Sequence, residues 1–95
     1  MSANQSMPED FPADLIAEFG QLKQRVARLL DSAAAGAADA PALIDHLHRL
    51  GGAAGLFGEG ALGRSAKLLG DRIEFSPAAV QPADYAALAA LIAAS

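Results

Sequence analysis

The stretch that most constrains the fold runs from residue 43 to residue 58 and reads LIDHLHRLGGAAGLFG. Its large apolar residues recur at spacings of three and four, which predicts a helix with one apolar face. The same stretch contains Gly51, Gly52 and Gly55, and each glycine inside a helix costs about 1 kcal/mol relative to alanine. Roughly a quarter of the chain is alanine, which would be more favourable than glycine at these helical positions. The three glycines therefore indicate that a helix surface without side chains has a function here.

His48 lies on the same face of that helix as the glycines. At about 100° per residue, positions three, four and seven after a residue share its face, and after His48 these are Gly51, Gly52 and Gly55. The sequence therefore predicts an imidazole beside bare backbone, on the flank of the apolar stripe, where a large partner can come close. Close packing between helices is the alternative use of such glycines, although these lie off the centre of the stripe.

The composition favours a small all-α domain. Ninety-five residues fit one domain, and the larger apolar residues are mainly leucine and isoleucine, which favour helix over sheet. The absence of cysteine excludes disulfides and thiolate chemistry and is consistent with a reducing compartment. A net charge of −4 and a pI near 4.8 argue against nucleic acid as the main partner.

No targeting or membrane segment is expected. The N-terminus lacks a basic region followed by an apolar run, and no uninterrupted apolar segment is long enough to span a bilayer. The default expectation is a monomeric cytoplasmic protein.

Four helices joined by short connections are expected. Asp10 and Asp39 are candidate N-caps, and Pro12, Pro41 and Pro82 suit first turns. These signals predict one helix from near residue 12 to residues 32–36, a second to about residue 57, a third over about 61–75 and a fourth from residue 82. The short links predict an antiparallel, up-down-up-down four-helix bundle over residues 11–95, with residues 1–10 as a flexible tail.

Each predicted helix has an apolar stripe that should form the core. The expected inward residues are Leu15, Phe19, Leu22, Val26 and Leu29 in the first helix, Leu43, Leu47, Leu50, Ala54 and Phe57 in the second, Leu62, Ala66, Leu69 and Ile73 in the third, and Tyr85, Leu88, Leu91 and Ile92 in the fourth.

The hairpin of the second and third helices brings charged residues opposite His48. This histidine lies about ten residues before the turn, or about 15 Å down the helix, and an equal distance up the next helix reaches residues 67–71. Lys67 is therefore a candidate to attract an anion beside the imidazole. Asp71 or Glu74 is a candidate to orient the ring's other nitrogen.

Two other site chemistries do not fit this stretch. His46 and His48 are two residues apart and point roughly 200° apart on a helix, so they cannot share a metal ion. No metal site is expected, and His46 is expected at the edge of the core. A phosphate loop is excluded because no strand precedes Gly-Gly-Ala-Ala-Gly and no Gly-Lys-Ser/Thr follows it.

Residues 48–58, HRLGGAAGLFG, resemble the histidine-containing phosphotransfer (HPt) family. The usual family pattern is His, any residue, Leu, Lys, Gly, two small residues and a glycine that closes the helix. The matching residues are His48, Leu50, Gly52, Ala53, Ala54 and Gly58, and the likeness in motif covers about residues 43–74.

One position departs from the family pattern. Where the family usually has a lysine that helps to hold the phosphoryl group, this chain has Gly51. Lys67, from across the hairpin, is the candidate to supply that charge.

The resemblance implies a phosphorelay intermediate in two-component signalling. His48 would take a phosphoryl group on a ring nitrogen from a receiver-domain aspartate or from a histidine kinase, and pass it on. The implied partners are a response-regulator receiver domain and a hybrid histidine kinase, and the receiver would bring the Mg²⁺ ion. The chain shows no nucleotide-binding motif, so it is expected to be a carrier that needs no cofactor rather than an enzyme that uses ATP.

The face implied for docking combines the glycines with their neighbours. Its residues are Ile44, Arg49, Gly51, Gly52, Gly55 and Arg64. Two alternatives to a carrier remain open: a non-catalytic helical adaptor that docks on a receiver or kinase without accepting phosphate, and a plain structural bundle in which His48 has no role.

Overall fold

The computed structural model describes residues 12–37 and 39–95, so the expected tail at residues 1–10 and the candidate cap Asp10 lie outside the described residues. The described chain forms four α-helices and no strand, which confirms the all-α class. The helices are α1 (Ala13–Ala34), α2 (Ala40–Leu56), α3 (Gly60–Phe75) and α4 (Pro82–Ala93), and a 3-10 turn at Pro77–Ala79 precedes α4.

The helix ends lie where the capping residues predict them. The Asp39 side chain accepts a hydrogen bond of 3.2 Å from a backbone N–H in the first turn of α2. Gly36 and Gly58 follow the ends of α1 and α2 with φ of 88° and 77°, a conformation that glycine adopts without a Cβ penalty. After α2, the N–H of Glu59 donates to the carbonyl of Ala54 over 2.8 Å, which closes the helix in a Schellman motif.

Each helix packs against two others, in the cycle α1, α2, α3, α4 and back to α1. The α2–α3 pair is antiparallel, because Gly51 lies against Gly63 while Leu47, earlier in α2, lies against Gly70, later in α3. Phe19, in the second turn of α1, stacks its ring on that of Phe57, which lies just beyond the end of α2, with centroids 4.4 Å apart. The start of α1 thus lies beside the end of α2. The four helices therefore form a compact helical bundle, in which the α2–α3 pair runs in the antiparallel direction that the sequence predicts.

The core confirms most of the predicted stripes, including all four inward residues of α3. The fully or almost fully buried side chains are Phe19, Val26, Leu30, Ala33, Leu43, Leu47, Leu50, Ala54, Leu62, Ala66, Leu69, Ile73, Leu88 and Ile92.

Six predicted core residues are less buried than expected: four are half-buried at the edge of the core, Leu22, Leu29, Phe57 and Tyr85, and two are exposed, Leu15 and Leu91. In α1 the inward stripe passes through Leu30, so Leu29 is only half-buried. Leu15 is 45% exposed, because Phe19 is already level with the end of α2 and Leu15 lies one turn nearer the edge of the bundle. In α4 the buried side chains are Leu88 and Ile92, so Leu91 lies on the flank of the helix.

The link between α3 and α4 is held by Arg72 and Asp84. The guanidinium of Arg72 donates to the carbonyl of Ala79 and to the Asp84 carboxylate, over 3.1 and 3.3 Å. The backbone N–H of Gln81 donates to the same carboxylate over 2.7 Å, and this bond, with the help of Arg72, lowers the pKa of Asp84. Arg72 is thereby directed toward α4.

Within the described ranges, no helix combines the length and the apolar character needed to cross a membrane.

Candidate functional site

His48 lies on the surface of α2, with 45% of its side chain exposed. Its ring rests on α3 at Gly70, where a methyl group would lie 3.2 Å from Cδ2 and 3.3 Å from Nε2. The absence of a side chain at Gly70 therefore creates the place that the imidazole occupies. The expectation of an exposed histidine on a helix is confirmed.

Asp71 lies beside the ring, as the hairpin geometry predicts. One of its carboxylate oxygens is 3.5 Å from Nε2 of His48. A carboxylate in this position favours the tautomer with the proton on Nε2, which leaves the lone pair on Nδ1. At 3.5 Å, with both side chains about half exposed, the contact is longer than an ordinary hydrogen bond and leaves the ring free to adjust.

Gly51 does not lie on the exposed surface, so its assignment to the docking face is wrong. It is buried in the α2–α3 interface, where a methyl group would lie 2.5 Å from Cγ of Lys67 and 3.3 Å from the carbonyl oxygen of Gly63. Close helix packing, the alternative explanation for the glycines, is correct at this position.

Gly51, Gly63 and Gly70 form a glycine seam between the two helices. A methyl group at Gly63 would lie 2.9 Å from the carbonyl oxygen of Gly51, closer than such atoms normally approach. The roles of Gly63 and Gly70 were not predicted from the sequence. The signal available was their seven-residue spacing on one face of α3, with the small Ala66 between them.

Lys67 crosses the seam at Gly51. Its Cε would be 3.1 Å from a methyl group at Gly51, so the aliphatic part of the side chain lies against α2 rather than pointing away from it. Gly51 follows His48 by three residues, which is about one helical turn. The stem of Lys67 therefore lies against α2 about one helical turn from His48.

Gly52 and Gly55 form a bare strip on the exposed side of α2. Both are exposed, and a methyl group at either would meet nothing within 4 Å. Neither glycine is required by packing, so the prediction of bare backbone on the face of His48 holds for these two.

The other residues predicted for the docking face differ in exposure. Ile44 is half-buried, whereas Arg49 and Arg64 are exposed. The Arg49 guanidinium lies 3.1 Å from the carboxylate of Asp45, one turn earlier on α2.

An apolar groove runs beside the bare strip, between α1 and α2. Its apolar lining includes Leu15, Leu22, Ala53, Leu56 and Phe57, and Arg25 and Arg49 lie at its rim. Leu56 is 71% exposed, so the face next to His48 offers both bare backbone and apolar side chains to a partner.

His46 belongs to a different environment. It is half-buried, as expected of a residue at the edge of the core, and its Nδ1–H donates to the carbonyl of Ala42 over 2.8 Å. Its ring is thus engaged with its own helix, while the ring of His48 rests on α3.

Comparison of the chain with protein-family models, with curated proteins and with solved structures gave no match in any of the three. The residues and their geometry therefore carry the interpretation that follows.

Alanine substitutions in the glycine seam and in the bare strip should change the free energy of unfolding in opposite directions. Gly63→Ala places a methyl group against the carbonyl of Gly51 and should destabilise the fold by about 1–3 kcal/mol through overpacking. Gly52→Ala meets no neighbour and should stabilise it by up to about 1 kcal/mol through helix propensity. Urea unfolding followed by circular dichroism measures both, and equal effects of the two changes would contradict the distinction.

Proposed function

We propose that this protein is a phosphorelay intermediate, which carries a phosphoryl group on His48 between receiver-domain aspartates or from a histidine kinase to a receiver. The observation that carries the proposal is an exposed imidazole on a helix, held against bare backbone at Gly70 and next to a carboxylate. The resemblance of residues 48–58 to the HPt family supports the same function.

For phosphoryl transfer the chain needs to position the imidazole and to supply charges that stabilise the reacting groups. The lone pair of the unprotonated ring nitrogen attacks phosphorus of an aspartyl phosphate, the N–P bond forms, the P–O bond breaks, and the aspartate leaves as a carboxylate. The ring then carries a proton on its other nitrogen. Asp71, 3.5 Å from Nε2, stabilises that positive charge when Nδ1 is the attacking atom.

The bare strip gives the partner access to the ring. A receiver must bring its own acidic pocket and Mg²⁺ within bonding distance of the imidazole, and side chains on the same face of α2 would hold it off. Gly52 and Gly55 remove such side chains. The groove between α1 and α2 supplies apolar contact area alongside.

Lys67 takes the part of the family's lysine in this proposal. Gly51 stands where that lysine is usual, and the stem of Lys67 lies over Gly51. The charge then reaches the site from α3 instead of α2. A lysine ammonium near the phosphoryl oxygens offsets their negative charge.

A second candidate function belongs to another class, a helical adaptor that docks on a receiver or kinase without accepting phosphate. The exposed Leu56 and the α1–α2 groove favour it, because an apolar docking surface does not require the imidazole.

Phosphorylation should depend on His48 and not on His46. When the protein is incubated with a radiolabelled phosphorylated receiver, we expect label that is labile in acid and stable in base. His48→Gln should abolish it, whereas His46→Gln is the matched control and should retain it. If the wild-type protein binds the receiver but acquires no label, the carrier function is wrong and the adaptor function is favoured.

The bare strip should matter for transfer although it does not matter for packing. Gly52→Ala is expected to slow phosphotransfer at least tenfold while leaving the protein folded, because the added methyl group stands between α2 and the receiver. Gly20→Ala is the matched control, since Gly20 lies in α1 and also has no neighbour within 4 Å. Transfer rates that are the same for both variants would count against docking at the strip.

Removal of the Lys67 charge should slow transfer or shorten the lifetime of the phosphorylated protein. Lys67→Met keeps most of the apolar stem over Gly51 and removes the ammonium, and a tenfold effect corresponds to about 1.4 kcal/mol. Arg28→Met, on the exposed side of α1, serves as the control. If the rate and the lifetime are both unchanged in Lys67→Met, Lys67 does not replace the family's lysine.

A further inference from the structure

Three side chains of metal-ligating type converge at the junction of α2 and α3. They are His48, Asp71 and Glu74, and one ligand atom of each lies within 4.8 Å of the others. We propose that this cluster binds a divalent transition-metal ion, with Zn²⁺ as the ion whose chemistry fits best. The proposal does not depend on phosphotransfer, because it concerns the binding of a metal ion by the resting protein.

The distances suit a tetrahedral ion with one open position. Zn²⁺ bonds to imidazole nitrogen and carboxylate oxygen at about 2.0–2.2 Å, so its ligand atoms lie about 3.4 Å apart. Nε2 of His48 and the near oxygen of Asp71 are 3.5 Å apart. Glu74 is exposed, and because its ligand atom lies within 4.8 Å of the other two, its carboxylate needs to move by at most about 1.4 Å to complete three protein ligands, with water as the fourth.

Neither carboxylate pairs with an arginine or a lysine. Among residues 12–37 and 39–95, the ion pair of Asp71 is with His48, and Glu74 has none. The neighbouring arginines are engaged elsewhere, Arg49 with the carboxylate of Asp45 and Arg72 with α4, and Lys67, one turn before Asp71, has its stem against Gly51. Two carboxylates with no arginine or lysine partner, beside an imidazole, favour a dication.

The packing of α2 against α3 brings the three ligands to one side of the junction before a metal ion arrives. Gly70 seats the ring of His48 against α3, and Asp71 and Glu74 are three residues apart on that helix, so their side chains lie on one face. Ligands on packed helices are positioned more precisely than ligands on loops.

The proposed ligands, His48, Asp71 and Glu74, differ from the pair His46 and His48 that helix geometry excludes as a metal site. His46 and His48 cannot share an ion, but α3 supplies two carboxylates that the expectation of no metal site did not consider. If His48 also carries a phosphoryl group on Nδ1, the proton that remains on Nε2 would compete with the metal ion for that nitrogen.

The test is a titration of the purified full chain with ZnCl₂, followed by calorimetry and by the ring resonances of the two histidines in NMR spectra. We expect one ion per chain, with the resonances of His48 shifting and those of His46 unchanged. His48→Gln, Asp71→Asn and Glu74→Gln should each weaken binding at least tenfold. MgCl₂ at the same concentrations should leave the His48 ring unperturbed, because Mg²⁺ prefers oxygen ligands.

Asp31→Asn is the matched control, since Asp31 is an exposed carboxylate on α1 outside the cluster, and this variant should bind Zn²⁺ like the wild type. Circular dichroism checks that every variant is folded. The proposal would be overturned by an equal loss of binding in Asp31→Asn and Glu74→Gln, by Zn²⁺ shifting the ring resonances of His46 before those of His48, or by an unchanged affinity in His48→Gln. Since none of these readouts measures transfer, they separate failure of the metal site from failure of the phosphorelay function.

Discussion

The close approach of α2 and α3 along the glycine seam is the constraint on which the candidate site depends. At Gly51 and Gly63 the two backbones meet so closely that a methyl group at Gly63 would lie 2.9 Å from a carbonyl oxygen. A wider spacing of the helices would lift the ring of His48 off Gly70 and move Asp71 away from Nε2. The seam is therefore a packing feature that fixes the geometry of a surface site.

The glycines of α2 serve two purposes that the helical pattern alone does not separate. Gly51 is required by packing, whereas Gly52 and Gly55 have open space around them. An open position on a helix favours alanine over glycine by about 1 kcal/mol, and this chain uses alanine freely elsewhere. Packing does not account for the bare strip, and access by a partner is the explanation that the proposed function gives for it.

The sequence predicted the helices, most of the core and the neighbours of His48 because those depend on local rules. Caps and turns set the ends at Asp39 and Gly58, and a count of residues from the turn placed Asp71 opposite His48. The assignment of Gly51 failed because a helical wheel gives the direction of a residue but not the distance to the neighbouring helix. The same limit hid the role of Gly70, which depends on the position of a ring that belongs to another helix.

The charges around His48 bear on what kind of phosphoryl acceptor it would be. A phosphoryl group adds about −1.5 to −2 charges at neutral pH, and here it would lie beside Asp71 and Glu74, which Arg49 and Arg72 do not neutralise. Repulsion between the phosphoryl group and these carboxylates would raise the free energy of the phosphorylated form, whereas Lys67 and the attraction of Asp71 for the protonated ring would lower it. In the proposed function this balance would favour a phosphoryl group that is passed on over one that is stored for long. The same two carboxylates are the ones that would attract a dication to the resting protein.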